Sequence, residues 1–183
     1  MKRIIALILA LLLLCGLTAC GESSTKTKKK KETWKTTFNN FVAVTFEGNV
    51  DKLEKLSPEE YWIWYEDEYG LDLDDIKEEI EDNQEELEDE YGKNISVTID
   101  VEKEKQLSDK KVENIANALE DQYDIDAKSV TEVIEIKGVI TIKGTEDEED
   151  EDVELTFAKI GKSWYMISFY EYDGEYYVSF LAH

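Results

Sequence analysis

At Asn94 the hydrophobic period of the chain changes from that of a helix to that of a strand. Upstream, Trp34, Phe38, Phe41, Val42 and Thr45 recur at helical spacing, which predicts a helix over 33–46 ended by Gly48-Asn49. A short helical turn through Leu53 and Leu56 follows. Ser57 is placed to cap the next helix, with Pro58 at its first position and Glu60 completing a capping box. Leu56 and Tyr61 suit a hydrophobic staple, and Gly70 stops the helix after Tyr69. The same grammar returns at Asp72, with Leu71 and Ile76 as the staple. Leu73, Ile76, Ile80, Leu87 and Tyr91 then form one stripe, interrupted by Gln84 and closed by Gly92.

Downstream, Ile95, Val97, Ile99 and Val101 alternate with polar residues as in a strand with one buried face. Ser108 opens one further helix, whose inner side is Val112, Ile115, Ala116, Leu119 and Tyr123. Strands are expected over 129–144, 152–160 and 163–172, with Gly138 marking a bulge or bend. Gly161-Lys162 and Asp173-Gly174 read as tight hairpin turns, the second leading to a strand that ends near Leu181. Helices, a strand, a helix and then antiparallel strands make an α+β order, with N-terminal helices packed on an antiparallel sheet.

Charge excludes several functions. The 183 residues carry 21 basic and 44 acidic side chains, a net charge of −23. Seven of the bases and one of the acids precede residue 32, so the remainder carries −29. Nucleic-acid surfaces need clustered Lys and Arg, so no nucleic-acid partner is expected. The single histidine, His183, excludes His-based metal sites and a Ser-His-Asp triad. The run from Glu146 to Asp152 lacks the spaced carboxylates and turn glycine of a calcium loop, so it reads as a solvated hairpin loop. Neither a metal nor a cofactor is expected. The acids between Glu66 and Glu90 read as the solvated outer face of a helix.

The N-terminus indicates location. Lys2 and Arg3 precede an apolar run from Ile4 to Leu14, shorter than the roughly 20 residues that span a bilayer. The run reads as a secretory signal. Leu17-Thr18-Ala19-Cys20 resembles the lipobox of bacterial lipoproteins, which implies cleavage before Cys20 and lipidation of its thiol. On that basis 1–19 is the signal peptide, 20–32 a lipidated cysteine and Lys-rich tether, and 33–183 one α+β domain. The membrane then holds the protein through the lipid on Cys20, facing outside the cytoplasm. Cys15 leaves with the signal, so no disulfide or free thiol remains.

The element order from Trp34 to Phe169, with Gly161-Lys162-Ser163-Trp164-Tyr165-Met166, resembles the NTF2-like (cystatin-like) superfamily. The resemblance implies a curved antiparallel sheet wrapped around helices as a cone, and the extra C-terminal hairpin strand departs from it. Enzymes of that superfamily, such as ketosteroid isomerase, use positioned acid–base groups inside the cone. Here no spacing singles out such a pair among the many Asp, Glu, Tyr and Lys residues, so no catalytic residue is assigned.

Aromatic side chains are in surplus at two places. Tyr61, Trp62, Trp64 and Tyr65 surround Ile63 within one helical turn and a half, and neighbours about 100° apart cannot share one face. Tyr170, Tyr172, Tyr176 and Tyr177 crowd the last hairpin. Either they cover the sheet within one chain, or some meet a partner. Tyr61, Trp62, Tyr65, Tyr172 and Tyr176 are the binding candidates. Trp164, on a strand apolar on both faces, is expected in the core. The expected function is a membrane-anchored extracytoplasmic binding module for a protein or small-molecule ligand; the alternative is a small-molecule acid–base enzyme using the cone pocket.

Overall fold

The computed structural model describes residues 33–180. Cys20, the signal segment and the tether lie outside the described residues. Among the described residues three helices come first: α1 (Trp34–Thr45), α2 (Glu59–Tyr69) and α3 (Leu73–Tyr91), with a 3-10 turn at Val50–Lys55 between the first two. Strand β1 (Ser96–Gln106), helix α4 (Asp109–Tyr123) and strands β2 (Val130–Lys143), β3 (Glu148–Ile160), β4 (Ser163–Tyr172) and β5 (Glu175–Phe180) follow. The strands form one open antiparallel sheet in the order β1-β2-β3-β4-β5. The fold is therefore α+β, helices first and an antiparallel sheet after.

Both faces of the β3–β4–β5 end are covered, which explains why β4 is apolar on both. On one face Phe157 pairs with Met166 and meets the ring of Trp34 in α1 at 5.3 Å, while Thr37 Oγ1 donates to the Trp164 carbonyl at 2.7 Å. On the other, Tyr165 meets Phe180, and Phe180 meets Tyr123 of α4 and Tyr61 of α2. The central side chains Ile136, Ile140, Leu155, Phe157 and Ile167 retain no exposed surface. Trp164 is buried, as its alternation implies. At the β5 edge, α4 meets the outward backbone groups: Tyr123 Oη donates to the Val178 carbonyl and Gln122 accepts from the Val178 N–H. Such cover blunts an edge otherwise open to strand pairing.

The capping grammar holds at α3 and fails at α2. Asp72 accepts from the N–H groups of Asp74 and Asp75, and Asp75 reaches back to the Asp72 N–H. At α2 the cap position belongs to Pro58, which has no side-chain donor or acceptor, and helix starts only at Glu59. Ser57 Oγ is buried with no partner among the described residues, so the Ser57–Glu60 box does not form. Ser108 occupies the cap position of α4, also without a side-chain bond. Gln84, which interrupts the α3 stripe, donates to the Phe46 carbonyl just beyond α1.

The acidic run is mostly strand, not loop. β3 begins at Glu148, four residues before the expected start, because β2 offers partners along its length. Lys143 pairs with Glu148, Thr141 with Asp150, and Tyr91 Oη donates to Glu149 at 2.9 Å. Only Gly144–Asp147 remains as the turn, clasped to the end of α3 by bonds from Thr145 to Lys93 and from Glu146 to Tyr91. β1 likewise runs past Val101 to Gln106, its bulge falling between Val101 and Lys103 opposite Gly138. A Cβ on Gly138 would stand 2.2 Å from the Asp100 carbonyl oxygen, so only glycine fits there.

Candidate functional site

Helical geometry sorts the α2 aromatics. Tyr61 and Tyr65, four residues apart, point inward and are buried. Tyr61 joins rings with Trp62, Trp64, Tyr65, Tyr123 and Phe180 at centroid distances of 5.1–6.1 Å. Burial pushes the Tyr61 phenol well above its ordinary range, and pushes Tyr123 up to about 12. Both stay neutral near pH 7, so neither is poised to exchange protons. Trp62 and Trp64 flank this cluster half-buried, and Ile63 points outward at 57% exposure.

Trp62, Ile63 and Tyr65 line one wall of an open groove of about 590 Å³ between α2, α3 and the 3-10 turn. Leu71, Leu73 and Ile76 line the other. Leu71 is 40% exposed while Ile76 is buried, so the expected Leu71–Ile76 staple leaves Leu71 in solvent. Glu54, Glu59, Glu66 and Asp74 surround these apolar side chains. Lys77, the one base of the lining, is bound to Asp74 at 2.6 Å. The Trp62 indole N–H is buried and finds no acceptor among the described residues.

The hairpin candidates lie elsewhere. Tyr172 is 70% exposed and Tyr170 61%, and Tyr170 stacks on Tyr177 at 5.1 Å. Tyr176 is half-buried on the opposite face, stacked on Phe169. The five candidates therefore divide into buried Tyr61, groove-lining Trp62 and Tyr65, the latter itself mostly buried, and two hairpin tyrosines on opposite faces of the sheet. Ile63 and Leu71 were not among them. Their signal was position: Ile63 is the residue left over once Tyr61 and Tyr65 face inward.

Acid–base chemistry needs a carboxyl group of raised pKa beside a donor inside a cavity. Glu151 is the one carboxyl among the described residues held above its ordinary range, through burial first and the neighbouring Glu149 second. The nearby Tyr91 phenol gives its hydrogen bond to Glu149, and neither residue lines the groove. Among the described residues no three His, Cys, Asp or Glu side chains converge to hold a metal ion. The groove offers apolar contact inside a negative rim, which suits recognition. No protein-family model, curated protein or solved structure matches this chain.

Proposed function

We propose that this chain is a membrane-anchored, extracytoplasmic binding module on an NTF2-like fold, meeting its ligand on its surface rather than inside the cone. The observation that carries this reading is the contrast between a filled interior, where the helices cover one face of the sheet and at its β3–β4–β5 end both, and large side chains left outside. Ile136, Ile140, Leu155 and Phe157 have no free surface, whereas Ile63, Tyr69, Leu71, Tyr170 and Tyr172 are exposed. Exposed apolar groups gathered in patches mark interaction sites. The anchor is supported by Leu17-Thr18-Ala19-Cys20 after the apolar run. The NTF2-like assignment is supported by the element order and the Gly161-Lys162 hairpin before Trp164.

Photo-crosslinkers at Ile63 and at Tyr172, on intact cells, test the binding reading. It expects a discrete adduct from at least one of them and none from a crosslinker at Glu85 on the acidic face of α3. No adduct from either position, or an equal adduct from Glu85, would overturn it. Cys20-dependent incorporation of labelled fatty acid tests the anchor, which Cys20→Ala should abolish.

A further inference from the structure

We propose that the groove between α2 and α3 docks a cationic amphipathic segment of a partner protein. This rests on the binding reading above and specifies the partner's chemistry. Trp62, Ile63, Leu71 and Leu73 give the groove an apolar lining, and it is open rather than enclosed. That shape accepts side chains projecting from a continuous segment, in the manner of amphipathic helices laid in grooves. Leu71 and Ile63 are held in solvent at a cost that a docked apolar side chain would remove.

Charge selects the occupant. Glu54, Glu59, Glu66 and Asp74 rim the groove, and Asp74 already holds Lys77. No other base lines it. A segment with apolar residues on one face and Lys or Arg on its flanks meets both requirements together. An acidic segment meets the first and is repelled by the second. A second copy of this chain, with −29 beyond residue 31, is repelled in the same way.

The test uses the full chain in zwitterionic lipid nanodiscs, with empty nanodiscs subtracted, titrated with a fluorescent amphipathic peptide of leucine and lysine. Binding in the micromolar range is expected, and a peptide with glutamate in place of lysine should not bind. Paired Ile63→Asn and Leu71→Asn should weaken binding by about tenfold, since both side chains are exposed and contribute only when covered. Paired Glu59→Gln and Glu66→Gln should weaken it about threefold and flatten its salt dependence. Glu85→Gln with Asp89→Asn, further along α3, should leave affinity within about twofold. Equal loss from the distal pair, or no loss from the apolar pair, would show attraction to bulk charge and overturn the proposal. Binding of the glutamate peptide to the parent protein would overturn it without any variant. Crosslinks at Tyr172 but not Ile63 would remove the groove while leaving the binding reading intact.

Discussion

Truncating Trp164 tests the packing of β4 on α1 directly. Its indole is 8% exposed on β4, and its own carbonyl accepts from Thr37 of α1. Lys159 Nζ lies 5.9 Å from the ring centroid. Trp164→Ala therefore opens a void between the sheet and α1 that the Thr37 tie keeps from closing. Truncation of a buried aromatic to alanine costs about 3–5 kcal/mol. Domains are stable by roughly 5–15 kcal/mol, so this is a large share of the total. At about 2–4 °C per kcal/mol for a chain of this size, the melting temperature should fall by roughly 10 °C. Trp62→Ala removes a half-buried groove wall, whose N–H lacks an acceptor, and should cost about 1–2 kcal/mol. Urea melts followed by circular dichroism compare the two at constant m-value. If Trp62→Ala is the costlier change, Trp62 belongs to the core and the groove is structural.

Three further outcomes follow from single contacts. Gly138→Ala should cost more than about 2 kcal/mol, because its methyl meets the Asp100 backbone oxygen and one of the two strands must move; wild-type stability in a thermal melt would contradict that. Glu151→Gln should stabilise the protein by less than about 1 kcal/mol at pH 7, since Glu151 is penalised when ionised. That gain should vanish as acid neutralises Glu151 itself, so an undiminished gain in acid-side melts would refute the cause. Tyr123 moves from an ordinary 10.0 to about 12, so the folded state keeps a proton that the unfolded state has lost. Stability is full below pH 10 and should drop as pH rises toward 12; a Tyr123→Phe variant with the same alkaline slope would assign that drop to other groups.

Local signals were legible wherever one residue decides the outcome. Gly70 and Gly161 adopt positive φ at the expected stops, and Asp173-Gly174 has positive φ at both residues, as a type I′ turn requires. The stripe on α3 appears as a helix with boundaries close to those read from the sequence, and the alternation from Ile95 as a strand that starts where expected and runs on to Gln106. Signals that depend on a partner were not legible. Ser57 and Asp72 look alike as caps, but only Asp72 stands at the cap position and accepts N–H bonds, whereas at α2 that position falls to Pro58. The run from Glu148 to Asp152 looks like a loop until Lys143, Thr141 and Tyr91 are set against it. The α2 aromatics could be counted in advance, but not sorted, because their inward face is defined by Tyr123 and Phe180 more than fifty residues away.

Charge shows the same dependence on the fold, and it bears on the groove. Lys105, Lys137, Lys143 and Lys159 each face an acid on the neighbouring strand: Glu135, Glu154, Glu148 and Glu132. Each exposed pair is worth at most about 1 kcal/mol, but together they tie four of the sheet's bases to its acids. Helices α2 and α3 have no such supply. Between Glu66 and Glu90 the only base is Lys77, and it is already engaged. Uncompensated negative charge therefore collects where Ile63 and Leu71 are exposed. An apolar patch alone would favour any apolar surface, including its own copy. Ringed by carboxylates, the same patch disfavours its own copy and other acidic surfaces, and leaves cationic ones favoured. The acids lining the groove thus act on selectivity, whereas Glu132, Glu135, Glu148 and Glu154 of the sheet act on pairing, a division that net charge alone cannot reveal.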